Sequence, residues 1–230
     1  MWWCILLNFA VSVLISHAGQ AMALPIKLGV VDPASREAFE GKIGTIIKQE
    51  WASCATCELV NETPYTAEGN YDSASLVTKL QAAMGQVQIL FLTWNERAND
   101  KSAATVEALK KLSASGILVV APAGLATEGV PTVQLSKTLV GQVPEAVIIG
   151  ELTARERLLP ASFFGPEMLT AIKPPRQYPE APGISPLLFS ARLTRNWERR
   201  GTSQGWLEFF KEKKSKSRKI WLALEDFFPR

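Results

Sequence analysis

SAATVEALKKLSASGILVVAP, residues 102–122, is the stretch that decides the fold. Val106, Leu109, Lys110 and Leu112 recur at helical spacing, which predicts an amphipathic helix over Ser102–Ser115. Gly116 then stands where a helix ends in a left-handed residue. Ile117 to Pro122 is a wholly apolar run, the pattern of a parallel strand covered on both faces. Upstream, Gln86–Trp94 reads as another strand. Ser73–Met84 reads as a helix with Leu76, Val77, Leu80 and Ala83 on one face, capped by Asp72 or Ser73. Further upstream, Ile26–Val31 is a short β-prone run ending in Asp32-Pro33. Downstream, Ala146–Gly150 is apolar again. Strand, helix, strand, helix, strand predicts an α/β fold, a doubly wound, mostly parallel sheet with helices on both faces.

The intervening segments are less regular. Arg36–Trp51 carries spaced apolar residues and is expected to be partly helical, whereas Glu58–Tyr71 is polar and expected to be loop. Pro160–Pro186 is dense in proline and expected to be mostly irregular. Trp206–Lys214 reads as a helix. The lysines and arginine from Lys211 to Lys219 read as a solvated helix end, with a patch for an anionic surface as the other reading.

Composition narrows the class. Apolar residues make up 47% and charged residues 20% of 230 residues, as in an ordinary globular chain, and the net charge of +3 gives no footprint for nucleic acid. Residues 1–23 contain no Lys, Arg, Asp or Glu. An apolar run from Ile5 to Ile15 precedes Ala21-Met22-Ala23, the small-x-small pattern of a signal-peptidase site. Cleavage after Ala23 is expected, leaving residues 24–230 as a single exported domain, periplasmic or extracellular. The other reading, an uncleaved anchor, needs a longer span than this run offers. No stable membrane insertion is expected after cleavage. The leader takes with it Cys4 and His17, the one histidine of the sequence. Cys54 and Cys57 remain, and in an exported protein they predict a local disulfide. A redox pair is the alternative. No Cys or His pair completes a zinc set, and Gly-rich phosphate loops are absent, so neither metal nor cofactor is expected.

The order of these blocks resembles the subtilase family of serine proteases. Leu28-Gly29-Val30-Val31-Asp32 is similar to the strand ending in that family's catalytic Asp. Asp72–Ala83 is similar to its His-bearing helix, and Val87–Trp94 to the strand before its substrate segment. Pro122-Ala123-Gly124-Leu125 is similar to its Ala-Ala-Gly-Asn turn. Ala161-Ser162-Phe163-Phe164-Gly165-Pro166 resembles its Ala-Ser-Phe stretch, and Ala181-Pro182-Gly183 with Gly201-Thr202-Ser203 its Ala-Pro-Gly and Gly-Thr-Ser pair. The segment from Asp72 to Leu125 is shorter than in a full-length member, so a reduced subtilisin-like domain is implied.

The resemblance implies site residues one by one. Asp32 matches the orienting acid and Ser203 the nucleophile. Asp72 stands at the His position and Leu125 at the oxyanion Asn position. A serine hydroxyl needs a neighbouring base to become nucleophilic, and an unperturbed Asp, with a pKa near ~3.9, is a poor base at neutral pH. The implied reading is a pseudoprotease with vestigial triad positions Asp32, Asp72 and Ser203, binding an extended peptide if it binds anything. Two alternatives stay open. One is an active serine-carboxyl (sedolisin-like) peptidase using Ser203 with Glu68 and Asp72, whose Glu-x-x-x-Asp spacing fits. The other is an unrelated exported α/β binding domain. Convergence of Asp32, Asp72 and Ser203 at the C-terminal edge of one parallel sheet is the geometric expectation that separates these readings.

Overall fold

The apolar runs become the strands of one sheet. In the computed structural model, which describes residues 24–32, 43–62, 73–126, 132–153, 155–175, 183–217 and 221–228, β1 spans Ile26–Val31, β2 Cys57–Glu62, β3 Ile89–Leu92, β4 Leu118–Pro122, β5 Val147–Glu151 and β6 Met168–Ile172. They form a six-stranded sheet in the order β2-β1-β3-β4-β5-β6, and every pairing is parallel. The helices are α1 (Thr45–Glu50), α2 (Ser73–Ala82), α3 (Ala103–Ala114), α4 (Ile184–Arg195), α5 (Ser203–Lys216) and α6 (Leu224–Phe227).

Side chains alternate between two cores, as the strand repeat requires. Leu28, Ile89, Phe91, Val120 and Ile149 face one layer, where Trp51 and helices α4, α5 and α6 pack. Leu90, Leu92, Val119, Ala121 and Ile148 face the other, with Leu76 and Leu80 of α2 and Leu109 and Leu112 of α3. The doubly wound α/β expectation therefore holds. Gly116 ends α3 at φ 92°, and the Ile117 N–H donates to the Leu112 carbonyl at 3.1 Å. That closes the last turn and starts β4 in the right direction.

Two local expectations are corrected. Glu58–Glu62 is not loop but most of β2, in register with β1 from Ile26↔Cys57 to Val31↔Glu62. Its polar sequence suits the rim of the sheet, where only one neighbour is needed. Within Pro160–Pro186 lies all of β6, and α4 begins at Ile184. Helix α4 is buried from Ile184 to Thr194, so it has no solvent stripe to betray it. Pro186 sits in its first turn, where a missing N–H costs nothing. The hydroxyls of Ser190 and Thr194 bond to the carbonyls of Pro186 and Ser190, both at 2.9 Å. These polar side chains are satisfied inside the core by the helix's own backbone.

Cys54 and Cys57 form the expected disulfide, with Cα atoms 5.6 Å apart, across the turn that leads from α1 into β2. Glu68, Asp72, Ala181, Pro182 and residues 1–23, where the leader was expected, lie outside the described residues.

Candidate functional site

In an open parallel sheet the ligand crevice lies beyond the carboxyl ends of the strands, where the strand order reverses. Here the chain turns from β1 to β2 on one side and to β3 on the other. Asp32 ends β1 and is 5% exposed. Its neighbour across the sheet is Thr93, whose N–H donates to the Val31 carbonyl at 3.1 Å. An open cleft of about 230 Å³ follows, lined by Thr93–Asn95 after β3, Pro122–Leu125 after β4, Glu151 at the end of β5, and Gly183 at the start of α4.

Two residues that the sequence reading overlooked hold this cleft together. Asn95 is buried, and its side-chain nitrogen donates to the Ala123 carbonyl and to Thr138 Oγ1, both at 3.1 Å. Its side-chain oxygen accepts from the Val140 N–H at 3.2 Å. Asn95 thus ties the segments after β3 and β4 to the Leu135–Gln142 turns. Gly124 passes against the same residue: a Cβ there would lie 2.3 Å from the Asn95 carbonyl oxygen, and its φ is +86°. Only glycine fits both constraints.

Glu151 is the second. Its carboxylate accepts from the Gly183 N–H at 2.6 Å and the Ser185 N–H at 2.9 Å. Gly183 has no side chain with which to cap α4, so Glu151 supplies the acceptor from another element. Burial pushes the Glu151 carboxyl above its usual range, against the pull of the Ser185 and Gly183 N–H groups. The folded state then holds this proton more tightly than the unfolded chain. Stability from this group is full below the ordinary value of 4.5 and is lost as pH rises through the folded value. We predict that the urea midpoint of wild type, relative to Glu151→Gln, falls as pH is raised from below 4.5 toward neutrality. A difference that stays flat with pH would remove Glu151 as the group responsible.

Leu125 lines the cleft, as does Ser162 opposite it across an antiparallel bridge. The Ser162 hydroxyl donates to the Phe163 carbonyl at 3.2 Å, and the Ser185 hydroxyl to the Ile172 carbonyl at 2.9 Å. The Ser185 hydroxyl is also within hydrogen-bonding reach of the Glu151 carboxylate.

Ser203 is elsewhere. Its Oγ lies 4.0 Å from the position a Cβ on Gly116 would take, just before β4 begins. Val30, Phe91 and Val120 are in register across β1, β3 and β4. Gly116 precedes that line and Asp32 follows it, so at ~3.3 Å per residue the two ends are roughly 20 Å apart. The expected convergence of Asp32 with Ser203 does not occur, and the assignment of Ser203 as nucleophile is corrected. Gly201-Thr202-Ser203 is instead a helix start: Gly201 turns the chain at φ 69°, and the Thr202 side chain caps α5 by accepting from the Gly205 N–H at 3.1 Å. Thr202→Ala is accordingly expected to cost about 1 kcal/mol and Ser203→Ala less than about 0.5 kcal/mol, read from denaturant midpoints. The helix whose N-terminus does face the cleft is α4.

No family profile matches this sequence. No curated protein matches it in sequence either. Solved structures do match in fold. A cold-adapted subtilisin-like serine proteinase is similar with a TM-score of 0.61 at 12% identity, over 86% of this chain and 84% of that one. A lanthipeptide protease is similar with a TM-score of 0.61 at 10% identity, over 88% and 86%. A protease from Pseudoalteromonas arctica PAMC 21717 gives 0.54 at 11% identity, over 73% of this chain and 58% of that one. Together with the parallel six-stranded order, these likenesses give the chain a subtilisin-like fold.

Proposed function

We propose that this chain is an exported, subtilisin-like domain that binds an extended peptide in the cleft at the C-terminal edge of its sheet without hydrolysing it efficiently. The separation of Ser203 from Asp32 carries this reading. The sequence adds that its one histidine, His17, lies in the apolar leader. A serine without a base is a weak nucleophile, and removing the base of a subtilisin costs about 10⁶ in turnover. An apolar Leu125 in place of a polar donor at the cleft costs a further 10²–10³, roughly, in oxyanion stabilisation. The open cleft at the carboxyl ends of the strands, lined by Thr93–Asn95 after β3, supports a peptide ligand, since strand-like segments recognise extended peptides through main-chain hydrogen bonds. Export is supported by the leader with its Ala21-Met22-Ala23 site and by the Cys54–Cys57 disulfide, which persists in oxidising compartments. Among the described residues no helix is long and apolar enough to cross a membrane.

Labelling of residues 24–230 with a fluorophosphonate serine probe, from acid to alkaline pH, tests the loss of hydrolysis. Ser185→Ala and Ser203→Ala serve as controls. The expected result is no labelling of folded protein at any pH. Labelling abolished by Ser185→Ala would reveal an activated serine at the head of α4. Labelling abolished by Ser203→Ala would restore the reading corrected above.

A further inference from the structure

We propose that the cleft selects a peptide carrying a basic side chain, with Glu151 as the residue that sets this preference. The inference rests on the peptide-binding reading and adds its chemistry. Among the described residues lining the cleft, Glu151 is the one ionisable side chain. The others are apolar, such as Leu125, Leu159 and Trp94, or neutral polar, such as Thr93 and Ser162.

The head of helix α4 is the natural place for an anion in this cleft, because helix N-terminal N–H groups attract negative charge. That place is taken. The Gly183 and Ser185 N–H groups already donate to Glu151 Oε2 and Oε1. A peptide carboxylate or acidic side chain would meet a fixed negative charge there, with no free donors at that helix end to offset it. A cation meets the opposite situation. The Ile184 N–H and the Ser185 hydroxyl also lie within reach of this carboxylate, so a guanidinium or ammonium is drawn to it by opposite charge across the cleft. The apolar wall suits the methylene stem of Arg or Lys. The Trp94 side chain, half-buried among the lining residues, adds to that apolar wall. The cavity of about 230 Å³ gives room for one such side chain.

The test varies the ligand first, leaving the protein intact. Capped pentapeptides with Arg, citrulline, Lys, norleucine or Glu at the central position are titrated into the mature protein by calorimetry. Citrulline and norleucine keep the shape of Arg and Lys and remove the charge. Attraction to this carboxylate in a partly dry cleft predicts that Arg and Lys bind roughly 10-fold tighter than their neutral counterparts, with Glu weakest. In Glu151→Gln, shown to be folded by near-ultraviolet circular dichroism, the preference collapses toward unity. If Arg and citrulline bind wild type equally well, the charge preference is overturned while peptide binding stands. If none of the five peptides binds, the peptide-binding reading fails and this inference falls with it. A preference that survives intact in folded Glu151→Gln assigns it to another residue and overturns the role of Glu151.

Discussion

Replacing Arg192 with methionine is expected to lower the unfolding free energy by about 3–5 kcal/mol, among the largest effects of any single substitution in this fold. Arg192 lies on the buried helix α4, and its Nε is 3.0 Å from Glu50 Oε2 on α1. Both side chains are almost inaccessible, at 9% and 8% exposure. Removing the guanidinium leaves the Glu50 carboxylate in the core without its cation, and that desolvation cost is what the measurement reads. The second contact of Arg192, to Glu225 Oε1 at 3.2 Å, involves a carboxylate 45% exposed, and exposed pairs add little. The double substitution Glu50→Leu with Arg192→Met removes the buried charge along with its partner and is expected to recover most of the loss. Urea unfolding of the single variants and the double variant closes the cycle. A double variant as unstable as Arg192→Met alone would show that packing of the arginine stem, and not the charge on Glu50, dominates.

Trp206→Ala is expected to cost a comparable amount, about 3–5 kcal/mol. Trp206 is 1% exposed and sits at the first turn of α5, where it docks that helix onto the α4 side of the sheet. Its indole N–H donates to the Trp197 carbonyl at 3.1 Å. Its ring centroid is 5.5 Å from that of Phe210 and 5.8 Å from that of Phe228. Truncation opens a cavity among aromatic rings and removes the indole bond to the Trp197 carbonyl, which keeps the Arg200 and Gly201 N–H groups as donors. Trp206→Phe restores most of the volume but not the hydrogen bond, so an intermediate loss is expected. Thermal and urea midpoints of the pair check both parts. Equal losses for Ala and Phe would assign the effect to the hydrogen bond alone.

Arg192 and Trp206 also explain why some of this molecule was legible in the sequence and some was not. β1, β3, β4 and β5 announce themselves as apolar runs because each is covered on both faces, and α2 and α3 show a stripe because each has a solvent side. β2 carries polar residues at the sheet rim and reads as loop. Helix α4 is buried all round, begins among prolines, and hides Ser190 and Thr194 by bonding them to its own carbonyls. Neither period 2 nor period 3.6 stands out there. The one charged residue in its buried span, Arg192, is matched by Glu50 from a segment 142 positions away, a pairing no local pattern encodes.

The site was legible in the same uneven way. The positions of Asp32 and Leu125 at the C-terminal edge were legible because each follows a strand that is itself recognisable. Ser203 was misplaced because Gly-Thr-Ser serves equally well as a left-handed turn, an N-cap and a first helical residue. Chain order alone does not say at which sheet edge a helix begins. Glu151 carried a signal that was passed over: an acid closing an otherwise apolar buried strand. Such a residue needs a donor partner to be tolerated, and the head of α4 provides it.

Binding without cleavage is the central claim, and one measurement addresses it directly. The protein comprising residues 24–230 is incubated at high concentration with a mixture of extended peptides rich in Arg and Lys, and bound and free peptides are then analysed by mass spectrometry. The account predicts that peptides are retained by the protein and recovered intact, with no new termini beyond those in a protein-free control. New peptide termini that accumulate with time and disappear when Ser185 or Ser203 is replaced by alanine would contradict it.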